Sequence, residues 1–259
     1  MIDLPDSATF AAALADRRIY TAMAVAALAG LVRGFSGFGG AMIYMPLVAA
    51  LYEPRIAAVT ILLVDFLAST PFAVPETRRC NWREVWPISL AMAVGVPFGT
   101  WALIALDPIV LRWFIAIAVL SLLPPLAIGW RYQGEPRMAV TLGVGLFAGV
   151  SAGAVQIAGP PVILYWLSRV GSAVAVRANV MVFFMICGVV LVIAYAVQGL
   201  FTVQSLTLSL LLGIPYLLGV GSGSFFFKSA SDRVYRRVAY AIIALAALLS
   251  LPVLDPILR

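Results

Sequence analysis

Two apolar stretches, residues 19–52 and 138–170, are too long for a single membrane crossing, and each is interrupted near its middle. A helix crossing ~30 Å of hydrocarbon needs about 20 apolar residues. The first interruption is Gly34-Phe35-Ser36-Gly37-Phe38-Gly39-Gly40. The second is Gly149-Val150-Ser151-Ala152-Gly153, followed by Gln156, Gly159, Pro160 and Pro161. Glycine clusters and paired prolines disfavour a continuous helix. Six further stretches (56–74, 87–106, 109–130, 174–198, 203–227 and 233–252) each fit one crossing. With 63% hydrophobic and 11% charged residues, the chain has far more apolar surface than one soluble core can hide. The expected class is an all-α integral membrane protein.

Other features remove whole classes of function. The chain contains no histidine, which excludes His-ligated metal sites, Ser–His and Cys–His catalysis and histidine proton relays. Cys80 sits in a charged loop and Cys187 in an apolar run, an arrangement that argues against a disulfide. The net charge is +6, but no basic run is long enough to grip nucleic acid. No cofactor is expected. The first eighteen residues carry Asp3, Asp6 and Asp16 and lack a basic leader, so a cleaved signal peptide is not expected.

The two halves echo one another. A shift of about 115 residues sets Gly34 and Ser36 on Gly149 and Ser151. Slightly larger shifts set Gly95-x-Pro97 on Gly213-x-Pro215, then Asp107 and Arg112 near Asp232 and Arg237. The order is kept throughout, as in transporters built from repeats. The expected organisation is an N-terminal segment (1–18), a first repeat (19–130), a linker (131–137), a second repeat (138–252) and a tail (253–259).

Loop charges choose the topology. If all eight stretches cross, Lys and Arg divide evenly between the two sides. If the two interrupted stretches are re-entrant hairpins, one side collects Arg78, Arg79, Arg83, Arg131, Arg137, Arg169, Arg177, Lys228, Arg233, Arg236 and Arg237. The other keeps Arg17, Arg18, Arg55, Arg112 and Arg259. The second arrangement obeys the positive-inside rule. It predicts two inverted repeats, each a re-entrant or broken helical hairpin plus three transmembrane helices, with both termini outside the cytoplasm. Arms of about 12 residues (~18 Å) would put both breaks near the midplane.

Irregular backbone at that depth survives only inside protein or beside a wet cavity. Where a helix restarts after a break, its first N–H groups lack partners and favour an anion. The candidate substrate-binding residues are therefore Phe35, Ser36, Gly37, Phe38, Gly39 and Gly40 in the first half, and Ser151, Gly153, Gln156 and Gly159 in the second. The alternative is that these glycines only let helices pack closely. Arg33 directly precedes the first break, and Asp65 is central in its stretch; charges there are costly and usually functional or paired. Arg33 either holds the anion while Asp65 accepts a coupling proton, or the two form a buried pair that fixes the hairpin. Arg177 and Asn179, after the second hairpin, are candidates for the cytoplasmic mouth. Trp82, Trp86, Trp101, Trp113, Trp130 and Trp166 fall mostly near span ends, as interfacial belts do.

Gly34-Phe-Ser-Gly-Phe-Gly-Gly followed by Pro46, with Gly149-Val-Ser-Ala-Gly as its echo, resembles the sulfite exporter TauE/SafE family, also called toluene sulfonate uptake permeases. Gly95-Val-Pro97-Phe-Gly99 and Asp107-Pro108 to Arg112 fit the same pattern, and the resemblance runs from about residue 19 to 251. Two features depart from it: Ala41 ends the first glycine run, and Val155-Gln156-Ile157-Ala158-Gly159-Pro160-Pro161 replaces a glycine-rich second run. The resemblance implies transport of sulfite, thiosulfate, sulfonates or related anions, coupled to protons, in a bacterial cytoplasmic (inner) membrane. The leading expectation is a secondary transporter working by alternating access, with an anion, a proton and the lipid bilayer as partners. A passive anion channel between the hairpins is the alternative. An intramembrane enzyme is disfavoured, since no histidine or second central acid accompanies Asp65. Oligomeric state stays open.

Overall fold

The computed structural model describes residues 5–36, 39–128, 137–166, 173–226 and 232–254, with side chains except at 35, 36, 173, 226, 232–239 and 254. Among these residues the regular structure is helical: α1 (Ser7–Ala15), α2 (Arg18–Ser36), α3 (Gly40–Leu51), α4 (Pro54–Ala73), α5 (Trp82–Ala105), α6 (Pro108–Ala127), α7 (Met138–Val155), α8 (Gly159–Trp166), α9 (Ala173–Val197), α10 (Val203–Phe226) and α11 (Asp232–Leu249). Local chemistry sets the starts. Asp107 Oδ1 accepts the Ile109 N–H at 2.7 Å, and Pro108 opens α6. Pro54 opens α4 in the same way, because proline's fixed φ suits a first turn. At the head of α5, Asn81 Oδ1 accepts the Arg83 N–H at 3.2 Å.

The long helices present apolar side chains outward. On α5, Leu90, Val94, Phe98 and Trp101 are exposed along one face, while Ile88, Met92, Val96 and Leu103 are buried on the other. Leu210, Ile214, Leu218 and Phe225 do the same on α10. A water-soluble chain rarely shows such continuous apolar faces; hydrocarbon is their natural solvent. Among the described residues six helices are long and apolar enough to cross a membrane: α4, α5, α6, α7, α9 and α10. The protein is a multi-pass integral membrane protein. Five of these helices coincide with expected crossings. The sixth, α7, corresponds to the expected first arm of the second hairpin; of the expected 233–252 crossing, the described apolar part is Tyr240–Leu249.

Glycine stripes join helices across the two halves. A Cβ built on Gly149 would stand 2.1 Å from the Met92 carbonyl oxygen, and one on Gly99 would stand 2.1 Å from that of Val150. Cβ atoms built on Gly95, Gly145 and Gly153 would stand 2.4 Å from the Leu146, Ile88 and Val96 carbonyl oxygens, respectively. Thus α5 and α7 touch backbone to backbone, their residue numbers rising together, so they run parallel. The same holds for α2 and α10, where Gly30 faces the Tyr216 carbonyl, Gly34 that of Val220, and Gly219 that of Ala27. Small residues every fourth position are what membrane helices use for close approach.

This packing corrects where the second interruption lies. The expected break at Gly149–Gly153 is continuous helix, because Gly145, Gly149 and Gly153 form one flat stripe against α5. The chain breaks instead at Gln156–Ala158. Helix α2 likewise continues through Ser36 and the chain resumes helix at Gly40. The hairpin arms are therefore unequal. At ~1.5 Å per residue, α2 and α7 are roughly 28 and 27 Å long, and α3 and α8 roughly 18 and 12 Å.

Both short helices fold back along their long partners. The Arg18 guanidinium donates to the Leu51 carbonyl at 3.2 Å and lies 5.0 Å from the Tyr52 ring centre, so α3 ends where α2 begins. Thr141, near the start of α7, shares a hydrogen bond with the Tyr165 hydroxyl near the end of α8. Trp82, Trp86, Trp101 and Trp113 are exposed on the helical surface, and Trp166 is not. Trp166 is fully buried, edge-on to Phe183 of α9 with ring centres 5.8 Å apart. Trp130, Arg131, Arg169, Lys228 and Arg259 lie outside the described residues, as do the side chains of Arg233, Arg236 and Arg237.

Candidate functional site

The two breaks in the chain meet. A cavity of about 80 Å³ is lined by Gly39–Met42 from the first break and by Gln156–Pro160 from the second. Its walls are Ile61, Leu62, Asp65, Phe66 and Ser69 of α4 and Phe184, Cys187, Gly188 and Leu191 of α9, with Arg33 of α2 and Ala152 of α7. These stretches are the middles of α4 and α9. The space suits a few waters or one small oxyanion and is well below the ~300–1,000 Å³ of drug-sized pockets.

Each break is built differently. Gly39 has φ 89° and caps α3, a left-handed conformation that glycine adopts without a Cβ clash. Gly40 follows where a Cβ would press on the Arg33 side chain, the Tyr216 hydroxyl and the Ala29 carbonyl at 3.0–3.1 Å. The first-turn amides at Gly40 and Ala41 have no intrahelical acceptor, whereas the Met42 N–H turns back to the Gly39 carbonyl. In the second break the left-handed residue is Gln156, φ 59°. Its strain is held by its neighbours: the Gln156 amide donates to the Tyr195 hydroxyl at 3.0 Å, and that hydroxyl donates to the Gly153 carbonyl at 2.9 Å. Pro160 and Pro161 remove two amides from the first turn of α8. The first-half break is thus the richer source of N–H donors.

The charges pair. Arg33 Nε donates to Asp65 Oδ1 at 2.8 Å, and Nη2 to Oδ2 at 3.3 Å. The Tyr216 hydroxyl, carried on α10, donates to Asp65 Oδ1 at 2.6 Å. The Phe184 ring centre lies 5.6 Å from the Arg33 guanidinium. The Arg33 side chain is 15% exposed and that of Asp65 31%, and the accessible part faces the cavity. A two-pronged Arg–carboxylate contact in a low-dielectric surround is a strong one. Both sequence readings of Arg33 and Asp65 therefore share one geometry: the residues pair, and they pair on the wall of the cavity.

Of the other expected site residues, Gly39, Gly40, Gln156 and Gly159 line the cavity. Gly37, Phe38 and the side chains of Phe35 and Ser36 lie outside the described residues. Ser151 and Gly153 are buried within α7 away from the cavity wall, and Gly153 faces the Val96 carbonyl across the α5 contact. Arg177 is exposed at the start of α9. Asn179 is buried and engaged: its Oδ1 accepts the Asn81 N–H at 2.7 Å, and its amide donates to Glu84 at 3.3 Å. It ties the start of α9 to the start of α5. Sequence reasoning missed Tyr216, Tyr195, Phe184 and Cys187; Tyr216 and Tyr195 were discoverable as polar side chains within apolar spans.

A family model described as Sulfite exporter TauE/SafE matches residues 22–250. No curated protein and no solved structure matches the chain.

Proposed function

The chain belongs to the TauE/SafE sulfite exporter family, and from that premise we propose that it is a secondary transporter for a small sulfur-containing anion: sulfite, thiosulfate or an organosulfonate. Binding takes place in the cavity where the two breaks meet, with Arg33 as the cation and the Gly40 and Ala41 amides as further donors. Asp65 carries the coupling proton. The observation that carries this reading is the convergence of two irregular backbone segments and one charged pair on a single cavity at mid-length of α4 and α9.

Alternating access follows from inverted repeats of residues 19–130 and 138–252. Reciprocal packing supports that arrangement: α2 of the first half lies on α10 of the second, and α7 of the second on α5 of the first. Directions agree with it too. Asn179 joins the start of α9 to that of α5, and α5 and α7 run parallel, so the second hairpin begins and ends on one side. Arg55, at the start of α4, donates to the Leu103 and Ile104 carbonyls at the end of α5, so the first hairpin leaves on the opposite side.

The test is flux of sulfite, thiosulfate and methanesulfonate in proteoliposomes under imposed pH gradients. Uphill movement driven by the gradient is expected. Flux that only follows each anion's own electrochemical gradient would make the protein a channel, and no flux of any of these anions would remove the reading.

A further inference from the structure

Arg33 and Asp65 are the only residues with a formal charge lining the cavity among the described residues. The site's charge with nothing bound is therefore zero, and the guanidinium already has an anion, the carboxylate of Asp65. A substrate anion arriving at Arg33 meets a cation already neutralised, and drawing the guanidinium to itself would leave the Asp65 carboxylate without its counter-charge. Two negative charges against one buried positive charge are strongly disfavoured where water is scarce. One proton on Asp65 removes the conflict. The site then carries a single positive charge, enough for a single negative one.

We infer that Asp65 is the resident anion of Arg33, and that the substrate replaces it as a monovalent oxyanion taken up together with one proton. This rests on the function proposed above and specifies the charge form that the site accepts. Hydrogensulfite or an alkylsulfonate fits; a dianion such as thiosulfate leaves one charge unmatched. The step balances without covalent change. A proton from the aqueous side bonds to a carboxylate oxygen of Asp65, Arg33 turns its N–H groups to the incoming anion, and proton and anion leave together.

The neighbours of Asp65 allow this exchange. From α10 the Tyr216 hydroxyl donates to Oδ1, while the Arg33 Nη2 donates to Oδ2. From α9 the titratable lining group is the thiol of Cys187, and from α4 the polar one is Ser69. The segments Gly39–Met42 and Gly159–Pro160 bring no titratable side chain, and Ala152 brings none from α7. Among the described residues, no second carboxylate lines the cavity.

The experiment is equilibrium binding of methanesulfonate, which is monovalent throughout the working range, and of thiosulfate, to the purified protein over a pH series. One proton taken up per anion makes methanesulfonate affinity fall about tenfold per pH unit on the alkaline limb. Asp65→Asn flattens that dependence, and thiosulfate binds at least ~10-fold more weakly than methanesulfonate. Wild-type affinity that stays flat with pH, or thiosulfate binding as tight as methanesulfonate, overturns the inference while leaving the transport reading in place. If neither anion binds or moves at any pH, the transport reading falls and the inference falls with it. The wild-type pH series alone decides, should Asp65→Asn not fold.

Discussion

Two of the four glycines of helix α7, Gly143 and Gly149, differ in what an added side chain would meet. A Cβ on Gly149 would stand 2.1 Å from the Met92 carbonyl oxygen, whereas one on Gly143 would meet nothing within 4 Å. Both residues are interior to the same helix, so Gly→Ala brings the same gain in helix propensity, about 1 kcal/mol. At Gly149 the methyl must open a backbone contact by more than ~1 Å, since ordinary van der Waals contacts of a Cβ begin at 3.4 Å. The obstacle is a carbonyl in a helix and not the tip of a flexible side chain. Overpacking of this kind costs about 1–3 kcal/mol, and an unyielding neighbour puts it at the upper end. The difference between Gly149→Ala and Gly143→Ala cancels propensity and leaves about 2–3 kcal/mol. For a chain of this size that is a gap of roughly 4–12 °C in Tm. Thermal unfolding in one detergent should show Gly143→Ala at or above wild type and Gly149→Ala well below it. Equal Tm values for the two variants would mean that α5 and α7 do not touch backbone to backbone. The glycines of the second motif would then need another explanation, including the ligand-binding one.

Three further outcomes are expected. Arg33→Gln should abolish saturable anion binding and lower stability by about 1–3 kcal/mol through the stranded Asp65 carboxylate. Adding Asp65→Asn should restore the stability without restoring binding, as followed by thermal unfolding and anion titration on the same samples. Tyr216→Phe removes the hydrogen bond to Asp65 Oδ1 and should lower stability by about 0.5–1.5 kcal/mol, measured by thermal unfolding. An unchanged Tm would show that the hydroxyl only packs against Gly40. Asn179→Ala strips a partner from the Asn81 N–H and from Glu84; it should cost about 1–3 kcal/mol of stability and leave anion affinity unchanged, measured by Tm and titration.

The membrane class, the family and the fact of two breaks were legible because each follows from composition or from residues adjacent in sequence. The convergence of the breaks was also accessible, since irregular backbone in lipid needs a polar reason. Tyr216 was not. It reaches Asp65 from 151 positions away, and only the parallel packing of α10 on α2 brings it there. Asn179 misled for a related reason. A polar residue next to Arg177 at a span end reads as part of a mouth, yet its amide is buried in a joint with Asn81 and Glu84, 98 and 95 positions earlier.

Glycine was the residue type most open to misreading, because it serves two opposite ends in this chain. Gly145, Gly149 and Gly153 recur every fourth residue, which keeps them on one helix face and makes a continuous helix useful: the flat side is where α5 lies. Gly37, Gly39 and Gly40 are spaced irregularly, so no single helix face collects them, and Gly39 adopts the left-handed conformation that ends helical order. Spacing therefore separates a stripe from a break before any coordinates exist. In the second half the break falls instead on Gln156, a residue with a side-chain amide that Tyr195 can hold in place of glycine's freedom. Pro160 and Pro161 then stop the helix from resuming any earlier. The two halves reach the same cavity by unlike means. The half that kept its glycines also kept the cation and the bare amides, so an anion should be gripped chiefly by the first hairpin and shaped by the second.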